Sequence, residues 1–355
     1  MARHAATARN RVVLTALTVA VLAAAIGAVL IEQPGLPREQ RLSGPDVLRI
    51  VGSRIPLVGR AIDVSDIHAA HVNRVLTLRV PRVLLALLVG AALAVAGAVM
   101  QSFFQNPMAS PYILGIASGA SLGATAAFAG GVGAIAGQAG PSVCAFAGAV
   151  GVTFLVYALA RRGGRVNTTM LLLTGIAVGT FAGAVAYLLM FLFTQQTIGQ
   201  VLAWIMGTLN NCGWPDVAIV GPVAIVAVAF TRLFARDLNV MLMGPETAQH
   251  LGVHVERTRL VLLIASSLLT AVAVAAVGIV GFVGLVVPHV MRLIVGPDHR
   301  ALIPASILGG ALLVLGADVV VRAIFHEQVP LGVLTTLVGC PFFILLLTRR
   351  EKTFI

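Results

Sequence analysis

The sequence predicts an all-α polytopic membrane protein of about ten transmembrane helices, and three observations carry that prediction. The chain is 355 residues long, 59% hydrophobic and only 10% charged. That is more apolar surface than a soluble core of this length can bury, so lipid must take the excess. Apolar runs at 12–31, 83–99 and 260–280 approach or exceed the roughly 20 residues that a helix needs to cross about 30 Å of hydrocarbon. The period-two alternation of an outer-membrane barrel strand is missing, and in lipid a helix satisfies its own backbone.

Taken in order, the run at 12–31 reads as a first span rather than a cleaved leader. It is longer than a usual signal core, and no clear small-x-small cleavage site follows it. Residues 32–74 form a polar stretch with Pro34, Pro37, Pro45 and Pro56, the one sizeable segment expected outside the membrane. Further apolar segments lie at 75–103, 111–130, 140–160, 168–193, 215–234, 258–278, 281–295, 302–324 and 331–347, within a single transmembrane domain over 1–355. An even number of spans puts both termini on one side. Arg3, Arg9, Arg11, Arg161, Arg162, Arg165, Arg232, Arg236, Arg257, Arg259, Arg292, Arg300, Arg349, Arg350 and Lys352 all fall on that side, which the positive-inside rule makes cytoplasmic. Residues 32–74 are then extracytoplasmic, although Arg38, Arg41, Arg49, Arg54, Arg60 and Arg74 run against the rule there. The net charge of +11 is therefore a topology signal. It comes in short clusters, not on the contiguous basic face that nucleic-acid binding requires. Cys144, Cys212 and Cys340 have neither CxxC nor Cys/His metal spacing and read as small core residues, so no metal or cofactor is expected. Gly115, Gly119 and Gly123 share one helix face and permit close helix packing.

Much chemistry is missing. A phosphate-cradling GxxxxGK[ST] loop needs a lysine, and the only lysine is Lys352. The chain is not an ATPase, and any ATP chemistry belongs to a separate subunit. A stand-alone secondary carrier or channel is the alternative, but a coupled carrier is expected to hold ionisable groups near the bilayer midplane. The spans offer only Asp318 with Arg322, one turn apart, and His289 with Arg292, each near a span end. The first pair could simply neutralise itself. An intramembrane enzyme would need a set such as HExxH or a GxS with a distant histidine, and none is evident. His68 and His71, one helical turn apart at the edge of the polar stretch, could touch a haem or metal, though exposed histidines are ordinarily just solvated. The most informative local pattern is 237–257, on the cytoplasmic side. Gly244-Pro245 breaks the chain, a short amphipathic helix is predicted from Glu246 to Leu251, and Gly252 breaks it again. It is either an ordinary loop helix or a knob that docks into a soluble partner.

Several motifs then occur in order. Arg79-Val80-Pro81-Arg82 precedes Gly90-Ala91-Ala92-Leu93; residues 101–119 read QSFFQNPMASPYILGIASG; 278–292 read GIVGFVGLVVPHVMR; Asp318 to Arg322, Pro330-Leu331-Gly332 and 339–343, GCPFF, follow. This series resembles the FecCD-type permeases of type II ABC importers, a family that handles ferric siderophores, haem and cobalamin. The resemblance implies a homodimer of ten-span subunits with a translocation path on the two-fold axis. It also implies two cytoplasmic ATPase subunits and an extracytoplasmic substrate-binding protein. It assigns Gly244, Glu246, Ala248, Leu251 and Gly252 to the segment that couples to the ATPase. Arg79, Arg82 and Arg322 match outward-facing arginines on which the binding protein docks. Thr168 and Thr169 match an inner gate, and Asn106 and Met108 a second constriction. Met170 and Asn167 depart from some relatives. The ligand it implies is a ferric siderophore, with haem, cobalamin and oxyanions open.

Overall fold

The computed structural model describes residues 2–31, 42–56, 59, 62–132, 137, 139–162, 165–193, 195–210 and 212–350. Part of the expected outer stretch, including Arg38, Arg41 and Arg60, and the terminal Lys352 lie outside the described residues. Fifteen α-helices are named here in chain order: α1 Ala2–Leu30, α2 Gly44–Gly52, α3 Ala69–Arg74, α4 Val80–Phe103, α5 Ile116–Ala129, α6 Ala139–Ala160, α7 Thr168–Phe191, α8 Gln195–Ile205, α9 Trp214–Leu233, α10 Ala235–Met241, α11 Pro245–His250, α12 Val255–Val277, α13 Val283–Val295, α14 His299–Ala323 and α15 Leu331–Arg350. Each of the ten expected apolar segments is helical. Among the described residues, seven helical stretches are long and apolar enough to cross a membrane, while the apolar helices Ile116–Ala129, Val283–Val295 and Leu331–Leu345 are shorter. At 1.5 Å per residue, the 13 residues of α13 reach only about 20 Å.

The centre of the bundle is α4, packed against α9, α12, α13 and α14. Its approach to α14 is set by glycine. A Cβ on Gly90 would collide with the carbonyl of Gly310, and one on Gly310 with the carbonyl of Gly90. Seven residues further along the same helix, Gly97 meets Gly284 of α13 in the same way. Such contacts bring backbones together, which dispersion alone then holds in lipid. Pro81, near the start of α4, has no N–H to give. The chain enters through a π turn, Val75–Arg79, in which the Val80 N–H reaches back to Val75 O.

Among the described residues, stretches that leave α-helical geometry inside the bundle include 104–115 before α5, which holds the 3-10 turn Pro111–Leu114, and 278–282 before α13. Irregular backbone at membrane depth is tolerated only where protein satisfies it, and here it does. Tyr112 Oη donates to Val280 O at 2.8 Å, Gln101 Nε2 to Leu285 O at 3.0 Å, and the Thr208 N–H to Val277 O at 2.8 Å. Phe282 sits in the left-handed region at φ 65° to make the second turn. Helix α8 lies in a region where the sequence reading placed no element. Its 11 residues, QQTIGQVLAWI, are too few and too polar at the start to register as a span.

Contacts between distant elements define two ends of the bundle. At one end, the last turn of α1 meets the start of α4 and the end of α14, through Arg79 to Val29 O and Arg322 to Ala28 O. At the other, Asn10 of α1 donates to Val295 O at the end of α13, and Gln105 after α4 donates to Met241 O of α10. Placing valine at Gly90 would drive α4 and α14 apart. Overpacking of this kind costs about 1–3 kcal/mol or more, whereas a Cβ at Gly27 meets nothing within 4 Å. In detergent, thermal loss of the monodisperse chromatographic peak is expected to come well below wild type for Gly90→Val and to be unchanged for Gly27→Val.

Candidate functional site

At the first end, four charged side chains from three places in the sequence form one buried network. The π turn and first turn of α4 put Arg79 and Arg82 three residues apart on one face. Arg82 donates from Nε (3.0 Å) and Nη2 (2.8 Å) to Asp318 Oδ1, from Nη1 to Glu327 Oε1 at 2.6 Å, and from Nη2 to Asn210 Oδ1 at 3.0 Å. Arg322, one turn after Asp318 on α14, brings its Nε to 2.9 Å from Asp318 Oδ2 and donates from Nη1 to Ala28 O at 2.9 Å. Glu327 is held there by two successive non-glycine residues in the left-handed region, His326 at φ 51° and Glu327 at φ 65°. Two guanidiniums face two carboxylates, so the set is neutral. Burial of each charge is tolerable only because all are paired.

The expected docking arginines are therefore not free surface charges. Arg79, Arg82 and Arg322 are 3%, 6% and 3% exposed, because intramolecular acceptors draw each of them inward. Arg79 donates to Val29 O at 3.3 Å. The self-neutralising reading of Asp318 with Arg322 was half of the arrangement: Arg82, from 236 residues away, shares the same carboxylate. Outside the bundle, Arg49 of α2 grips Asp66 through both oxygens at 2.9 and 2.8 Å. That guanidinium holds Asp66 below the usual carboxylate range. His68 accepts the Ala70 N–H at its Nδ1 as the N-cap of α3, with His71 stacked edge-on at 6.0 Å. The cap gives His68 a structural role.

At the second end stands the short helix α11, one residue earlier than the predicted 246–251. Gly244 (φ 101°) and Gly252 (φ 83°) bracket it in conformations that disfavour any side chain. Ala248 is fully buried in a small cluster with Met241, Val253 and Val255. Glu246, Thr247, Gln249 and His250 are exposed, as are Leu242, Met243 and Leu251 at 42%, 68% and 56%. Beside it runs an open groove of about 470 Å³ between Gln249 and Arg257.

The two expected constrictions lie at this same end, without a hydrogen bond between them among the described residues. Asn106 Oδ1 accepts the Met108 N–H at 2.9 Å in a side-chain turn, just after Gln105 has bonded Met241. Asn106 and Met108 are exposed. Thr168 and Thr169 open α7, where Asn167 caps the helix by accepting the N–H groups of Thr169 and Met170 at 2.9 and 3.1 Å. The preceding Val166 N–H donates to Glu256 Oε2 of α12 at 3.1 Å. Sequence reasoning missed a further polar set here. Ser102, His299 and Asn239 are joined by hydrogen bonds of 2.5 and 2.8 Å, and their separation along the chain hides them from motif reading. His289 is buried within α13.

Apolar helices around a glycine-packed central post, half-length helices that start inside the bundle and a short helix outside one end define a polytopic permease with the fold of type II ABC importers. A solved metal-chelate type ABC transporter in an inward-facing conformation matches at a TM-score of 0.80 and 28% identity, covering 95% of this chain and 98% of that one. The chain belongs to the FecCD transport family, whose profile matches residues 50–349. It is 46% identical over 275 residues to the cobalamin import system permease protein BtuC of Halobacterium salinarum, covering 78% of this chain and 73% of the relative. It is also 39% identical over 280 residues to the hemin transport system permease protein HmuU of Yersinia pestis, covering 78% and 84%.

Removing one member of the buried network strands the others. Asp318→Asn leaves Arg82 and Arg322 without their shared charge, and breaking a buried pair from one side costs about 3–5 kcal/mol. Arg49→Ala, in the exposed cluster, should cost far less, because solvent already screens that pair. The same thermal chromatography assay is expected to show a large loss for the first and little for the second. Equal losses would contradict the burial argument.

Proposed function

We propose that this chain is the non-catalytic translocation subunit of an ATP-driven importer, working as a homodimer with two ATPase subunits and a substrate-binding protein. The observation that carries the reading is α11. Ala248 pins it to the chain by one face, while Glu246, Leu251 and the neighbouring Met243 project outward. An exposed apolar rim of this kind suits a partner surface. The ATPase docks at that end, which is cytoplasmic by the arginines gathered there: Arg161, Arg162 and Arg165 before α7, Arg232 and Arg236 at α9–α10, Arg257 and Arg259 at the start of α12, and Arg300 at α14. Both termini face the same compartment, and residues 32–74 face the other.

The binding protein docks at the opposite end. Arg82 and Arg322 act there through their network and Arg79 from its bond to Val29 O, rather than as free charges, and an incoming acid reaches Arg82 by exchange with Glu327. That carboxylate is 23% exposed, against 1% for Asp318. Charge complementarity of this type mainly sets orientation and on-rate. Asn106, Met108, Thr168 and Thr169 constrict the path. Its cargo is a chelated metal. The names of the two relatives favour a cobalt corrinoid or haem over the ferric siderophore that the sequence resemblance implied.

The test is reconstitution in liposomes with the ATPase and binding protein, measuring uptake of cyanocobalamin, hemin and a ferric siderophore per ATP hydrolysed. Replacing 244–252 by a flexible linker is expected to dissociate the ATPase or to lower uptake at least tenfold. Glu246→Ala should have a smaller effect in the same direction. Uptake by the chain alone, driven by an ion gradient, would refute the proposal and return attention to a secondary carrier.

A further inference from the structure

The cluster that pins α11 continues inward along two hydrogen-bonded routes, and the first converges on the turn at 104–108. Met241 is 4% exposed and packs with Ala248 of α11, so α10 is the first element to feel α11 move. From α10 there are two struts. Gln105, in the left-handed region at φ 48°, donates from Nε2 to Met241 O at 3.0 Å. Asn239, two residues before Met241, belongs to the polar set with His299 and Ser102.

Donor and acceptor chemistry fixes the direction of that set. The amide oxygen of Asn239 lies 2.8 Å from His299 Nδ1 and 2.8 Å from the His299 backbone N–H. An amide oxygen only accepts, so Nδ1 carries the proton and Nε2 is a bare acceptor. The Ser102 hydroxyl, 2.5 Å away, then turns its one proton toward Nε2, shared with the Ala98 carbonyl at 3.0 Å one turn back on α4. The Asn239 amide nitrogen donates to Asp298 Oδ1 at 2.7 Å, and the same oxygen accepts the Arg300 N–H at 2.9 Å. Burial pushes the Asp298 carboxyl up, but these two donors outweigh it and hold it below its ordinary range, so it is the anionic end of the chain. Serine, histidine and an amide in this order resemble a hydrolytic triad. His299 is fully buried and Ser102 is 3% exposed, so no substrate can reach the hydroxyl. What remains is a satisfied, directional link between the end of α4, the start of α14 and α10. Such networks rigidify what they join.

We infer that Asn239, His299 and Gln105 are positioning residues that form a joint, carrying displacement of α11 into the 104–108 turn that holds Asn106 and Met108. The inference rests on the reading of α11 as the ATPase contact. The second route is separate. It leaves the same cluster through Val255 and the start of α12, and reaches the head of α7 through the bond from Val166 to Glu256. It supplies an internal control.

The experiment uses the assembled complex with its ATPase, in a background with Cys144, Cys212 and Cys340 replaced by serine. Spin labels are placed at Gln249→Cys on α11, Met108→Cys on the turn and Met170→Cys on α7, and read with and without ATP and vanadate. With the joint intact, all three labels are expected to change mobility on nucleotide trapping. Gln105→Glu removes the donor at nearly constant size from an exposed position, so folding is not at stake. Asn239→Leu breaks the chain from α10 to α14. In both variants the response at 108 is expected to fall at least fivefold, while those at 249 and 170 persist. A persisting response at 108, or loss of all three together, overturns the joint and leaves the ATPase contact standing. No response at 249 in the unmodified joint refutes that contact, and the inference with it.

Discussion

Hydrocarbon offers no partner to a peptide group, and the architecture of this permease follows from that denial. Wherever the chain can stay helical it does. Among the described residues its departures inside the bundle include 104–115 and 278–282, where Tyr112, Gln101 and the backbone of Thr208 supply hydrogen bonds. Those departures make α5 and α13 short and allow the chain to turn within the bundle. They are possible because α4 lies close enough to α13 and α14 for its neighbours' backbones to be reached. Glycine at 90, 97, 284 and 310 sets that distance.

Two polar networks stand near opposite ends of the bundle, and they solve different problems. One end buries full charges and neutralises them in place, two guanidiniums against Asp318 and Glu327. The other is neutral at its heart. Its serine, imidazole and amide relay hydrogen bonds from α4 to α14 and α10, with a carboxylate only at the outer margin. A cluster of buried opposite charges is strong but demands all its members. A directional chain of neutral groups passes strain from one helix to the next without stranding a charge if one link shifts.

The sequence carried the helices well, because a run of apolar residues in lipid has few alternatives. It carried less of what lies between them. The short helix at α11 was visible through its flanking glycines and proline, and it starts one residue earlier than its amphipathic pattern suggested. Helix α8 was invisible, since QQTIGQVLAWI resembles neither a span nor a turn. The pair Asp318 and Arg322 was legible from its one-turn spacing. Arg82 and Glu327 were not, because their partnership exists only after α4 and α14 have packed. For the same reason Arg79, Arg82 and Arg322, expected to face outward, read as surface charge until the fold showed what they were holding. Ser102, Asn239 and His299 gave no local signal: three ordinary residues on three elements acquire meaning only where those elements meet.

The neutrality of the network around Asp318 has an electrical consequence. Moving one elementary charge through the membrane field changes its energy by about 2.3 kcal/mol per 100 mV. A rearrangement among Arg82, Arg322, Asp318 and Glu327 that keeps two cations with two anions transfers almost no net charge along that field. A carboxylate that replaced Glu327 on Arg82 would be a swap of like for like. Rearrangements among these four side chains are then nearly electrically silent, and a membrane voltage neither drives nor opposes them.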